Sequence, residues 1–394
     1  MKRGIITTII YMTSMSLEKE KTTGNKIHFT EIGKALKKLG HKVILVAPYY
    51  KSTGTRESYG LVDEQIFFEK KDAFSYMKFH GILPRKLKEL IKEYNPDFVY
   101  SRDILNARKI KRILKKNNLK YYVEINNLLR RKEFKPYIAK KFLEHSQKNQ
   151  ILSADILRVM TSEQKKMIAQ DYGVSESKIN VIRHGTNPDI FYDRGKEVCR
   201  NKLSIDSEKF VFCFVGTFNY MEYIIGLKCF FRAYKIFIQT QIEETELLLI
   251  GDGRHRYILE QYADELGIKK YIKFAGMIDN LEVPDYISAA DICLQVWVPE
   301  DKKAEGLSLK VSSYLACERR IIASEIPGFK EVLSPFLPLF WKLEDDESMK
   351  KSLFRAYRER KVWNYGEKQR KYVLSSFTWG ISAGEIVRTF KEIK

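Results

Sequence analysis

A chain of 394 residues, 44 % of them apolar, is long enough for two domain cores and ordinary for a globular protein. It contains no apolar run near the ~20 residues of a membrane helix. Its five scattered cysteines (Cys199, Cys213, Cys229, Cys293, Cys317) show no disulfide or zinc spacing and read as reduced core residues of a cytoplasmic protein. The net charge of +20 is uneven: residues 1–200 hold 41 Lys and Arg against 22 Asp and Glu, whereas residues 201–394 hold 29 against 28. A uniformly lysine-rich composition would raise both halves alike. The asymmetry points to a negatively charged partner at the first half, either anionic lipid or nucleic acid.

The opening "MKRGIITTIIYMTSMS" imitates a signal peptide, but no small-residue cleavage site follows cleanly, so it reads as a buried first strand. "IHFTEIGKALKKLG" is an amphipathic helix stopped by Gly40, and "KVILVAP" is a second strand. "LPRKLKELIKEYNPDFVYS" predicts a helix, a turn at Asn95-Pro96 and a strand. "NARKIKRILKKNNLKYYVEIN" repeats that unit, and residues 140–173 add helix, strand and helix. A second series starts near residue 209 with "KFVFCFVGTF", the helix "GLKCFFRAYKIFI" and the strand "TELLLIGDG". "RHRYILEQYADELG", "YIKFAGMI" and "VPDYISAADICLQVW" follow, and the C-terminal thirty residues are helical without another strand. Alternating strands and helices give an α/β class, with two consecutive doubly wound domains and a linker around "RHGTNPDIFYDRGKE". The boundaries read as 1–195, 196–376 and a terminal helix 377–394. Ligands of such sheets bind at the carboxyl ends of strands, so the strand-to-helix loops are the places for chemistry.

"KTTGNKIHF" joins the first strand to its helix; Gly24 permits close backbone approach there, or simply turns the chain. "GDGRHR" begins like a dinucleotide fingerprint, but Arg256 stands at the third glycine position, so Gly251 and Gly253 read as a tight turn. "AEGLSLKVSSYLACERRIIAS", residues 304–324, carries more. Glu305 precedes Gly306 and a helix beginning near Ser308-Leu309, whose free N–H groups suit a pyrophosphate. Lys310 adds a positive charge. A carboxylate just upstream is repelled by phosphate and suits the hydroxyls of an attached sugar, and a polar residue at Ser313, about two turns in, reaches a ribose. Arg102, Glu124 and Asn126 follow strands of the first half and face an acceptor, or else form ion pairs and caps at strand ends. His28 lines the cleft or is a buried structural histidine.

In the order and spacing of these segments the chain resembles glycosyltransferase family 4, the group 1 glycosyl transferases. The resemblance rests on "TGNKIHFTEIGKALKKLGHKVILVAP", "SADILRVMTSEQKKMIAQDYGVSESKINVIRHGTNPDIF", "LLLIGDGRHRYILEQYADELGIKKYIKFAGMI", "YISAADICLQ" and "EGLSLKVSSYLACERRIIASEIPGFKEVL". It implies a GT-B fold: two Rossmann-like, doubly wound domains facing across a cleft, with the last helix crossing back to the first. It implies retaining transfer of a sugar from a UDP- or GDP-sugar, with neither metal nor cofactor. By position, Glu305 matches the first Glu of the family's Glu-x7-Glu motif, and Gly306, Leu307, Ser308 and Leu309 match backbone groups holding the pyrophosphate. Ile278 matches a residue reading the base, and Gly24 the glycine loop that closes over donor and acceptor. Ser313 replaces the second Glu. Thr217 follows Gly216 where many members have Arg, and "FNYMEYIIG" lacks the usual Lys, leaving Lys310 or Arg254 to supply the cations. His184 stands where Asn is common, and Asn126 near where many members carry His.

The expected partners are a nucleotide-sugar donor and a glycan or lipid-linked acceptor. "ARKIKRILKKNN" and "LLRRKEFKPYIAKKFLEHSQK" suit either the inner face of an anionic membrane or plain solvent. A nucleic-acid binder would explain the charge but neither Glu305 nor the glycine turns, and no nucleic-acid module is present. Ser313 and Thr217 motivate a further alternative, a relative that binds nucleotide sugars without turnover.

Overall fold

A computed structural model describes residues 6–15, 24–51, 62–69, 71–128, 137–240, 244–299 and 307–393. The chain forms two compact units, Met1–Gly185 with Trp379–Lys394, and Thr186–Thr378. The sequence suggested a division at 195/196; it falls at Gly185 because the following segment is tied into the second unit. Arg370 donates to the carbonyls of Phe191 at 2.5 Å and Pro188 at 2.8 Å, and Arg194 pairs with Asp285 at 2.8 Å.

The first unit runs β1 (Thr8–Thr13), α1 (Gly24–Lys38), β2 (Lys42–Tyr50), β3 (Val62–Phe68), α2 (Ala73–Tyr94), β4 (Phe98–Arg102), α3 (Ala107–Lys116), β5 (Lys120–Glu124), α4 (Tyr137–Ser153), β6 (Ile156–Val159), α5 (Ser162–Tyr172) and β7 (Ile179–Val181). Among the described residues its strands are all parallel, in the order β3-β2-β1-β4-β5-β6-β7. Central strands such as β1, "TIIYMT", are buried almost throughout, as a sheet covered on both faces requires. The expectations did not include β3: its sequence "VDEQIFF" carries charge and pairs with β2 alone, at the sheet edge.

Helix α2 begins at Ala73, ten residues before the predicted Leu83, with Asp72 capping it by accepting from the Ser75 amide at 2.7 Å. Pro84 therefore lies inside the helix. Having no N–H, it leaves the His80 carbonyl without its helical donor, and the Asn106 side chain supplies one at 2.6 Å.

The second unit runs α6 (Lys196–Leu203), β8 (Phe210–Val215), α7 (Met221–Gln239), β9 (Thr245–Ile250), α8 (Arg256–Glu265), β10 (Ile272–Gly276), α9 (Val283–Ala289), β11 (Ile292–Gln295), α10 (Leu309–Ala316), β12 (Arg320–Ser324), α11 (Pro327–Leu333), β13 (Leu339–Trp341), α12 (Asp346–Arg358) and α13 (Gly366–Ser376). Its parallel order is β10-β9-β8-β11-β12-β13. Alternate residues of β8, Phe210, Phe212 and Phe214, build one core with Phe230, Tyr234 and Phe237 of α7. The last helix, α14 (Trp379–Glu392), returns to the first unit: Phe390 stacks on Phe98 at 4.3 Å, and Thr389 bonds the Tyr122 hydroxyl at 2.9 Å. All five cysteines are free and buried. Among the described residues, no helix is long and apolar enough to cross a membrane.

Candidate functional site

In the second sheet the strand order reverses between β8 and β11, and the loops at their carboxyl ends are where a doubly wound sheet binds ligand. The loops after β8 and β9 are knitted together. Gly216 donates to the Ile250 carbonyl at 2.9 Å, Phe218 to Asp252 at 3.0 Å, and His255 back to Phe218 at 3.1 Å. Gly251 has φ +126, and a Cβ there would sit 1.8 Å from the Gly216 oxygen; only glycine fits. Gly253 is also close-packed: a Cβ there would lie 2.6 Å from the Phe218 carbonyl carbon. Thr217 is held within the loop, its hydroxyl donating to the Asp252 carbonyl at 3.3 Å. Arg254 is exposed; its amide donates to Asn219 Oδ1 and its Nε to His255 Nε2, each at 3.0 Å. Ile278 is half-buried in the turn after β10. The glycine-turn residues expected at a donor site are thus brought together.

Helix α10 completes this edge. Leu307 is buried, and Ser308 is the extended N-cap residue but makes no side-chain cap bond; the Val311 N–H is taken by the Ser308 carbonyl at 3.1 Å, which leaves the Leu309 and Lys310 N–H groups at the positive end of the helix. Ser313 is half-buried and its hydroxyl turns back to the Leu309 carbonyl at 3.4 Å. Glu305 and Gly306 lie outside the described residues. The distinctive feature is Lys310. Its Nζ sits 3.7 Å from the centre of the Tyr223 ring and 4.2 Å from that of Phe214. It also approaches bare backbone, since a Cβ on Gly216 would lie 2.6 Å away. The Nζ is buried and has no hydrogen-bond partner among the described residues. Burial drives its pKa well below the usual lysine range. The two ring faces favour the ammonium, but less strongly than lost hydration disfavours it. Beside it, burial pushes the Tyr223 hydroxyl up to about 12. Gln295, at the end of β11, is fully buried beside that hydroxyl. Phe214, Tyr223 and Gln295 were not foreseen; the strand "KFVFCFV" gives no sign that one of its rings seats a lysine from far downstream.

In the first unit, strand register aligns Thr13, Arg102, Glu124 and Arg158 in one row across the carboxyl edge. Same-row side chains share a face, so two arginines flank one carboxylate. Arg158 Nη1 donates to Glu124 Oε2 at 2.9 Å and Arg102 Nη1 lies 3.5 Å from Oε1. His28 Nε2 adds a 2.9 Å contact, and the Tyr100 hydroxyl donates to Oε2. Burial alone would raise Glu124, but His28 and the two arginines hold it well below the carboxylate range. His28 is itself lowered to about 4 by burial and is neutral near pH 7, so the arginines carry that effect. Next to it, His184 Nε2 meets Asn126 Oδ1 at 3.0 Å, and the His28 and His184 rings are 4.5 Å apart.

The structure therefore joins His28, Arg102 and Glu124, but inside the unit, each at most 2 % exposed. Asn126 is half-buried at the margin, and Gly24 is the exposed first residue of α1. His28, Glu124 and His184 could hold a metal ion by geometry, their ligand atoms lying within 4.8 Å of one another. The two arginines already neutralise that carboxylate and would repel a dication.

Residues 23–190 match the family described as Glycosyltransferase Family 4, and residues 209–353 that described as Glycosyl transferases group 1. The chain spans about half the length of the curated relatives it matches first. An alpha-monoglucosyldiacylglycerol synthase of Streptococcus pneumoniae is 25 % identical over 319 residues, 76 % of this chain and 67 % of that protein. Sucrose-phosphate synthase from Thermosynechococcus elongatus superposes with a TM-score of 0.80 at 17 % identity, over 98 % of this chain and 99 % of that one. Anabaena HepE in complex with UDP and glucose gives 0.75 at 11 % identity, over 98 % and 100 %. The parallel strand orders, the glycine turns and both family matches agree: the chain belongs to the group 1, family 4 glycosyltransferases and has the GT-B fold.

Proposed function

We propose that this chain moves a sugar from a nucleotide-sugar donor, a UDP- or GDP-sugar, to a glycan or lipid-linked acceptor, with retention at the anomeric carbon. One observation carries the reading: the buried Lys310 Nζ, in the first turn of α10 beside the bare backbone of Gly216, has no hydrogen-bond partner among the described residues. A cation removed from water without a counter-ion is costly, and a diphosphate oxygen supplies that counter-ion. Thr217 contributes no charge at this edge, so Lys310 and the α10 N–H groups stabilise the leaving diphosphate as negative charge develops on it. The positive charge comes from the chain itself, which makes the reading metal-independent. Glu305 positions hydroxyls of the transferred sugar, and Ser313 offers a hydroxyl where a second carboxylate would contact ribose. In a front-face displacement the departing phosphate takes the acceptor's proton, so the closed Glu124 network is not needed as a base. HepE, with UDP and glucose, and the S. pneumoniae alpha-monoglucosyldiacylglycerol synthase support a nucleotide donor and a lipid acceptor respectively. A lipid-linked acceptor and the basic first half support a chain that works in the cytoplasm, peripheral at the inner face of the membrane.

A second reading, nucleotide-sugar binding without turnover, is favoured by the enclosure of His28, Arg102 and Glu124. Isothermal titration of UDP, GDP and ADP, with their sugar conjugates, into wild type and Glu305→Ala tests the donor site. The expected result is one conjugate binding more tightly than its nucleotide, with that gain lost in the variant. No binding at millimolar nucleotide sinks both readings, and binding without release of free sugar or product selects the second.

A further inference from the structure

Phe74, Met77 and Ile82 of α2 are 75 %, 50 % and 36 % exposed, although the same helix buries Phe79, Leu83, Leu87 and Leu90 completely. Helical spacing places the three on one outer stripe, with Lys78 and Arg85 exposed among them. Helix α3 packs beside α2, and its N-cap residue Asn106 is bonded to the α2 backbone at His80. Both helices bury their opposite stripes in one core, so their outer stripes lie on the same side of the unit. Every exposed side chain of α3 is a cation: Arg108, Lys109, Arg112, Lys115 and Lys116.

Apolar side chains held in water beside a field of fixed cations match one kind of surface: an anionic lipid bilayer. Acyl chains take the apolar groups and head-group phosphates take the cations. A nucleic acid would use the cations and leave Phe74 and Met77 in water. We propose that the outer face of α2 and α3 docks the first unit on an anionic bilayer, with Phe74, Met77 and Ile82 inserted and Arg108, Lys109 and Arg112 on lipid phosphates. This deepens the lipid-linked acceptor reading. The start of α2 follows the carboxyl end of β3, at the same sheet edge as Arg102 and Glu124, so docking brings that edge to the lipid.

The test is co-sedimentation of the full chain with vesicles of phosphatidylcholine, with and without phosphatidylglycerol. Wild type pellets with the anionic vesicles and not with phosphatidylcholine alone. The double variant Phe74→Ser with Met77→Ser partitions about tenfold more weakly. The triple variant Arg108→Ser, Lys109→Ser and Arg112→Ser loses about a hundredfold. Both variants melt like wild type, because the replaced side chains are exposed. Wild type that ignores anionic vesicles, an apolar variant that binds as tightly as wild type, or a preference for duplex DNA over vesicles overturns the proposal. Titrating UDP into the same preparations separates the two ideas: vesicle binding without UDP binding sinks the donor site, and the reverse sinks the docking face.

Discussion

The carboxyl edges of the two sheets treat buried charge in opposite ways. In the first unit Glu124 is enclosed by Arg158, Arg102, His28 and Tyr100, so its charge is paired within the unit. In the second, Lys310 Nζ is as thoroughly dehydrated, lies against two rings and a glycine, and has no hydrogen-bond partner among the described residues. A closed network serves the fold, whereas an open one is in balance only when something else supplies the missing charge. The comparison assigns stability to the first edge and ligand to the second.

Arg158→Met tests the closed side most severely. It removes donors to Glu124, Tyr100 and the carbonyls of Ile182 and Arg183. It should destabilise the chain by about 3–5 kcal/mol in urea unfolding, the usual cost of orphaning a buried charge. A loss under about 1 kcal/mol would mean the network is not what holds this edge together.

The next effect comes with acid. Burial lowers His28 from 6.5 to about 4, so between those values the unfolded chain binds the extra proton. Stability therefore rises with pH across that window and falls by roughly 3 kcal/mol as pH drops through it. Glu124, held low, adds to the loss below its ordinary value, with the same sign. A pH series of urea midpoints should show this slope, and His28→Gln should reduce it. An unchanged slope in that variant would remove His28 from the account.

The smallest stability effect is expected at the open side. Lys310→Met should leave unfolding free energy within about 1 kcal/mol of wild type, or raise it, since the thioether suits an aromatic pocket. The same change should weaken nucleoside diphosphate binding about thirtyfold, the loss of one charge-assisted contact. An anion restores the proton that burial disfavours, so binding takes up a proton above the lowered pKa and weakens as pH rises. Titrations in two buffers of different ionisation heat would register that uptake. If Lys310→Met destabilises the chain as Arg158→Met does, the contrast between the edges collapses.

Much of the fold was legible because parallel strands covered on both faces read as continuous apolar runs, as in "KVILVAP" and "TELLLI". The edge strand β3 and the three-residue β13 escaped for the same reason reversed: one is charged and the other too short to show a pattern. Pro84 hid the first part of α2, since only the distant Asn106 amide makes a proline tolerable there. At the site, Gly216, Gly251, Gly253 and Lys310 could be singled out by residue type and position. Their tight fit, and the rings that seat Lys310, depend on neighbours that no local pattern identifies.

The sequence by itself determined the alternating architecture, the glycine turns and the charge asymmetry, because each is written in local composition, period and spacing, and its segments carried the resemblance to the family. Only tertiary structure decided which charges are spent. Strand register put Arg102, Glu124 and Arg158 in one row, where they satisfy one another inside the first unit. Packing of α10 on β8 and α7 put Lys310 where nothing in the described chain satisfies it. Whether a buried ion is balanced depends on its neighbours within a few ångströms, and folding brings those neighbours from anywhere in the chain.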